Sequence, residues 1–498
     1  FTVASFMHIA WNDLSILQAR SIDEYAFVQP LINIFNGIKS HSIEEIFSFI
    51  FYSYGFLYFF LNFISSYIYI DDIGNPNFLS SIRLLAISIF CLTILLFYKI
   101  INQTKASTSE KMLLILVVLA MPAMWIFSGY IHPDFLMLVL FLASVLFMIK
   151  AGTKINRYYW FSIIFYGFAF SIKFQALIFL PFYIWNWFAF LTNNVAKIKY
   201  TLGSVIKSIF LIIFIFIIAN PYILSSQGFD AWITSLATDF LSNKTNHGND
   251  GKVIIQDKLN FALFKFYFDW LVLLFLLLFS TLILFRETLQ KSFSVYGGVA
   301  AFSLAYFFYL IILVNKSWAL YFLPFSLVSI ILLIRLPQTL KWKSFTIKKF
   351  RLMLISLILI LNISNSFEFN KEIFTNYIDG SSLSYDSINK NKIQFVNIRS
   401  ERLKSQELAK IFPENGNFEI LTTPYVNVPF EELNKTYVSV NIIYDFTKIK
   451  NLMQNSDAVE RNLIFIANKK YGAEIQGMLN ETNAELLNIT NEYLLFSL

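Results

Sequence analysis

The chain has 498 residues and a net charge of +7, with 57% hydrophobic, 18% aromatic and only 14% charged residues. A soluble domain carries about 25% charged residues, so most of this chain must be solvated by lipid, which excludes a wholly soluble protein. Glycine numbers only 16, and no glycine-rich phosphate loop of the Rossmann or P-loop kind occurs, which argues against ATP-driven and nucleotide-sugar enzymes.

The run Phe1 to Ala10 is apolar but too short to cross about 30 Å of hydrocarbon. It reads as the end of a truncated first transmembrane helix that carries His8. Apolar runs long enough to span follow at 78–101, 110–129, 131–149, 202–223, 265–285, 294–314, 318–336 and 349–365. Two shorter runs, 158–172 and 174–192, are split at Ser171-Ile172-Lys173 and read as two short helices meeting near one face. Cys91 lies inside an apolar run and is expected to pack; a lone cysteine allows no intrachain disulfide.

Loop charge sorts in alternation. Lys99, Lys105 and Lys111 share one loop; Lys150, Lys154 and Arg157, then Lys197 and Lys199, then Arg286 and Lys291, then Arg335, Lys341, Lys343, Lys348, Lys349 and Arg351 occupy others. These mark the cytoplasmic side. The intervening loops hold Asp13, Asp23, Glu24, Asp71, Asp72, Asp134, Asp230, Asp239, Asp250 and Asp257, together with His41, His132 and His247. The alternation works only if the aromatic run 45–70 does not cross, so it is expected to be an interfacial or re-entrant helix. The count is then about eleven spans, the truncated first included. Beyond residue 366 the composition turns to Asn, Lys, Glu and Ser, with short apolar strands at 394–398, 419–422, 437–443 and 462–466 and helical stretches at 401–411 and 471–479. This predicts a small C-terminal α/β domain, 366–498, on the outer face, behind a transmembrane domain at 1–365.

The chemistry-bearing residues lie in the outer loops. Asp23 and Glu24 are adjacent carboxylates, which near a bilayer tend to survive only with a partner, a cavity or a task. Taken alone they also fit a solvated loop face. His132-Pro133-Asp134 stands at the turn between two spans, where Pro133 could simply open a helix with Asp134 beside its positive end. Lys173 sits between two short apolar helices; it either snorkels to the interface or serves as a point charge for a phosphate. Asn220-Pro221-Tyr222 and Lys316-Ser317-Trp318 end on the same side.

In their order along residues 1–365, these features resemble the GT-C glycosyltransferases, in the polyprenyl-phosphate-sugar-dependent branch (family 39 type) that includes protein O-mannosyltransferases and lipid A aminoarabinose transferases. The match rests on Asp23-Glu24-Tyr25 after the first helix, the interfacial helix that follows, His132-Pro133-Asp134, Lys173 in Ser-Ile-Lys-Phe-Gln-Ala-Leu, Asn220-Pro221, and Trp318-Ala-Leu-Tyr-Phe-Leu-Pro324. The resemblance implies a hexosyl or pentosyl transferase that moves a sugar from a polyprenyl-phosphate donor to a glycan, lipid or protein acceptor. The reaction would be a single inverting displacement at the outer face of a bacterial inner or plasma membrane. Asp23 and Glu24 are then the catalytic carboxylates, one of them the general base. Tyr25, His132, Asp134 and Asn220 line the acceptor and donor site, and Lys173 and Lys316 bind the donor phosphate. A divalent metal on Asp23, His132 and Asp134 suits hard or borderline ligands and is left open. The rival class is a transporter or flippase of lipid-linked sugars, which would favour paired broken helices; one such pair, at 158–192, is visible. A membrane-anchored binding protein would need far fewer spans. No nucleic-acid partner is expected.

Overall fold

The computed structural model describes residues 13–47, 52–104, 106–193, 198–245, 253–334, 344–379, 381–389, 392–412, 418–423, 425–429, 437–442, 463–471, 485–490 and 493–497. The truncated first helix with His8, the loop residues Lys105, Lys197, His247, Asp250, Arg335, Lys341 and Lys343, and the expected helix at 471–479 apart from Tyr471 lie outside them.

Among the described residues, seven helices are long and apolar enough to cross a membrane: Pro76–Asn102, Asp134–Ala151, Phe174–Thr192, Ile198–Ala219, Trp270–Gln290, Val295–Leu313 and Lys349–Ile373. Their polarity is inverted relative to a soluble bundle. Phe210, Phe214 and Ile218, one face of the Ile198–Ala219 helix, are each more than half exposed, a pattern that only a lipid surround satisfies. The chain is an integral membrane protein. Cys91, expected to pack inside, is instead exposed on the Pro76–Asn102 helix.

Several apolar runs are shorter or more broken than their hydropathy implied. The 110–129 run is the 12-residue helix Thr108–Leu119, opened by a Ser107/Glu110 capping box, and then a short turn opened by Pro122. The 318–336 run is broken into Ala319–Phe322 and Leu323–Ser329, with Pro324 in the first turn of the latter. A four-residue helix, Ile43–Ile46, overlaps the start of the 45–70 run, which contains the helix Phe56–Ser66. Eleven residues rise about 16 Å, half the hydrocarbon thickness, so this helix cannot cross alone. The flanks of the run agree, because Lys39 Nζ pairs with Asp71 Oδ1 at 2.6 Å and so holds both ends together.

The stretch that carries Asp13, Asp23, Glu24 and His41, expected as an outer loop, contains the 19-residue helix Ile22–Ser40. Ser21 caps it, its side chain accepting the Glu24 N–H at 3.1 Å. His41, in the left-handed region at φ 56, closes it.

The helix Ser344–Ile378 runs on past residue 366, where the composition changes. After it, β1 (Ser381–Leu383) pairs antiparallel with β2 (Phe395–Asn397), and the helix Ile398–Ala409 follows. A five-stranded mixed sheet is built from β3 (Phe418–Thr422), β4 (Tyr437–Ile442), β5 (Leu463–Asn468), β6 (Glu485–Ile489) and β7 (Tyr493–Ser497), in the order β4-β3-β5-β7-β6. β3 is parallel to β4 and β5, whereas β7 is antiparallel to β5 and β6. β6 and β7 form a terminal antiparallel pair that the sequence reading did not mark.

Candidate active site

The site forms where three chain-distant pieces meet: the start of the Ile22–Ser40 helix, the turn before the Asp134–Ala151 helix, and the break between the paired helices. That break is local backbone chemistry. The Arg157–Ile172 helix ends at Lys173, whose backbone is extended at φ −153 and ψ 124. A 3-10 turn, Phe174–Phe179, then leads into Leu180–Asn193. The extended residue is held by a strand-like bridge to Tyr54, with Gly55 N–H donating to Ile172 O at 2.8 Å and Phe174 N–H to Ser53 O at 3.3 Å. Gly55 is required by close approach, since a Cβ there would lie 1.5 Å from Ser171 O. Asn220 locks the crossing. Its Oδ1 accepts the Phe56 N–H at 2.9 Å, and its Nδ2 donates to Ser171 O and Phe216 O.

The carboxylates have different surroundings. Glu24 is buried between two guanidiniums, with Arg83 Nη1 at 2.8 Å and Arg20 Nε at 3.7 Å, and it also accepts the Ile131 N–H at 2.9 Å. Burial raises its pKa, but Arg83, Arg20 and the Ile131 amide outweigh burial and leave it below the usual carboxylate value. Asp134 is buried against Lys173, Oδ1 to Nζ at 2.6 Å, and its Oδ2 lies 3.3 Å from His132 Nδ1. Among the described residues Asp23 makes no hydrogen bond and no ion pair within 4.0 Å. It keeps partial solvent access. Burial nonetheless lifts its carboxyl above the usual range and Glu24 adds to the rise, while His132, Lys316 and Lys173 pull it back in part.

Aromatic rings line the cations. Lys173 Nζ lies 5.2 Å from the Tyr54 ring centroid and 5.0 Å from that of Tyr321. Lys316 Nζ lies 4.4 Å over Trp318. The late segment is fixed by Tyr267 OH donating to Ala319 O at 2.7 Å and Tyr306 OH to Tyr321 O at 3.2 Å. His132 stacks on Tyr130, 5.5 Å apart at 8°, and meets the edge of Phe27 at 5.0 Å. Tyr25 is buried on the acidic helix.

The fold thus brings Asp23, Glu24, His132, Asp134, Lys173 and Lys316 into one electrostatic cluster, whereas the polar atoms of Asn220 are occupied by backbone groups. Sequence reasoning missed Arg20 and Arg83, which lie 4 and 59 residues from Glu24. With them, four cations (Arg20, Arg83, Lys173, Lys316) face three carboxylates (Asp23, Glu24, Asp134), an excess of one positive charge with His132 counted neutral. The metal candidates Asp23, His132 and Asp134 do not form a metal-holding group: among the described residues no three His, Cys, Asp or Glu stand together as one, and Asp134 Oδ1 is taken by Lys173.

No family model and no curated protein matches the chain in sequence. Solved structures do match in shape. ArnT from Cupriavidus metallidurans bound to undecaprenyl phosphate is 9% identical, over 99% of this chain and 97% of its own, with a TM-score of 0.48. The archaeal oligosaccharyltransferase AglB from Archaeoglobus fulgidus, in complex with an inhibitory peptide and a dolichol-phosphate, is 10% identical over 92% of this chain and 67% of its own, with a TM-score of 0.50. At such identities the likeness speaks to architecture alone, and in that respect the chain is a GT-C fold, a polytopic helical membrane protein with small strand sheets toward its C-terminus.

Proposed function

We propose that the protein is a membrane glycosyltransferase that moves a sugar from a polyprenyl-phosphate donor to an acceptor hydroxyl on the outer face of the membrane, with Asp23 as the general base. The observation that carries this reading is the contrast among the three acids. Glu24 and Asp134 are neutralised by bonded cations, whereas Asp23 is held near cations without contact and keeps solvent access. A carboxylate with a raised pKa and an open face can take a proton from an incoming nucleophile.

The leaving group, a lipid phosphate, is stable as an anion and needs positive charge rather than an acid. Lys173 gives one of its three N–H donors to Asp134, which leaves two for a phosphate oxygen, and Lys316 adds a second cation. The excess positive charge of the cluster supports an anionic substrate. That AglB was solved with a dolichol-phosphate agrees with this choice of donor. In this reading Glu24 positions rather than reacts, because it fixes the first turn that carries Asp23. His132 and Tyr25 shape the pocket, and Asn220 holds the break that presents Lys173.

The test is to incubate purified wild type and Asp23→Asn with a panel of polyprenyl-phosphate sugars and acceptors, following product by mass. A fall in turnover of about 10²–10⁴-fold with donor binding retained supports the base assignment. Equal product from both proteins refutes it, and a carrier would show no product from either.

A further inference from the structure

We propose that Tyr385, on the segment that follows the last membrane helix, is a positioning residue that couples the C-terminal part of the chain to the reaction centre. The inference rests on the reading of Asp23 as the base. Tyr385 is buried, and two routes lead from it into the site. In the first, Arg20 Nη2 donates to Tyr385 OH at 2.8 Å, the guanidinium lies 4.5 Å from the Tyr385 ring centroid, and the same arginine reaches Glu24, the neighbour of Asp23. In the second, the Tyr385 ring lies 4.5 Å from Tyr130, which stacks in turn on His132. The routes meet again where the Tyr130 hydroxyl lies 3.2 Å from Ser21 Oγ, the atom that caps the acidic helix.

The phenol is itself anchored, because Tyr385 OH donates to Ile126 O at 2.5 Å. Tyr385 therefore bridges the loop that carries His132 and the turn that carries Asp23. Its own segment is seated on that turn by Ser384 Oγ donating to Arg20 O at 3.4 Å, and the stretch after β3 adds Val426 N–H donating to Gln18 Oε1 at 3.2 Å. Nothing in this geometry places Tyr385 on a substrate. It acts by holding two loops in register, and a displacement of about 1 Å at a reacting group costs about 10²-fold in rate.

Tyr385→Phe keeps the ring on Tyr130 and removes both hydroxyl contacts. Two readouts test it: steady-state kinetics with the donor that wild type uses, and hydrogen exchange of the segments 14–25 and 126–134. The expected result is a kcat about 10- to 100-fold lower with an unchanged donor KM, as for lost alignment rather than lost binding, together with faster exchange confined to those two segments. Wild-type kcat with wild-type exchange overturns the inference, as does exchange that rises equally throughout the chain, which would mean general loosening. The exchange readout does not depend on turnover. A wild-type protein that transfers no sugar would sink the functional reading, while the exchange pattern would still decide whether Tyr385 holds the loops.

Discussion

Exchanging Glu24 for Gln separates the two adjacent acids by what each does. Glu24 has no exposed side-chain surface and Arg83 only 3%, so the ion pair is shielded from solvent on both sides. The amide keeps one acceptor for the Ile131 N–H but leaves Arg83 and Arg20 facing each other without a counter-charge. Breaking one side of a buried pair costs about 3–5 kcal/mol, a large share of the 5–15 kcal/mol that holds a typical domain. Asp23→Asn removes a half-buried charge with no bonded partner among the described residues, so stability should shift by no more than about 0.5 kcal/mol. The assay is denaturant unfolding of the detergent-solubilised proteins, followed by tryptophan fluorescence. Glu24→Gln should unfold at a clearly lower midpoint, and Asp23→Asn at that of wild type while losing turnover. If Glu24→Gln matched wild type and Asp23→Asn were the unstable variant, the assignment of roles would be reversed.

Four more outcomes follow from the same geometry. Turnover should rise with pH through a single ionisation above the usual carboxylate range, because the carboxyl of Asp23 is raised and only its ionised form accepts a proton; a profile flat across pH 4–8 would remove Asp23 as the base. Stability should also rise with pH through Glu24, but over a lower range: its folded pKa is lowered from 4.5, so its contribution is fully present above that value and is lost as pH falls through the folded pKa. Lys173→Met keeps the stem and deletes the charge, and because it strands Asp134 it should weaken donor binding by at least tenfold and also lower stability; wild-type donor affinity would refute the phosphate role. With Cys91 replaced, cysteines at Lys39 and Asn75 should both react with an impermeant thiol reagent from the outer side, since the Lys39–Asp71 pair keeps both flanks of the 45–70 run together; labelling of one alone would mean that the run crosses.

The sequence showed the membrane character and the helix break at Lys173 because both are local: composition marks the lipid-facing surface, and a lone ammonium between apolar runs marks a discontinuity. Ser21 three residues before Glu24 is a helix-start signature, and it marks the Ile22–Ser40 helix inside a stretch that loop charge alone assigns to a loop. The partners of Glu24 were not legible. Arg83 lies in an apolar span, where it would be taken for a snorkelling residue, and only the packing of that span against the acidic helix pairs them. Tyr385 is 365 residues from Arg20, a separation at which no spacing rule applies. Asn220 was visible as a polar residue at a span end, but nothing in one sequence distinguishes a side chain aimed at a ligand from one that satisfies three backbone groups.

The crossing at Gly55 and Asn220 also bears on how substrates could pass. Alternating-access carriers work by rocking one helical repeat against another about a central site, which requires a seam along which backbone can slide. Here the seam beside the broken helix pair is stitched. One asparagine bonds to Phe56, Ser171 and Phe216, and the loop 52–55 is hydrogen-bonded into the gap with no room for even a methyl group at Gly55. Sliding would open several buried hydrogen bonds at once, each leaving a polar group stranded at a cost of about 1–3 kcal/mol. The helix pair beside this seam is therefore held against sliding, so in the proposed reaction the substrates would reach the site from the lipid or from the aqueous face without rocking of that pair.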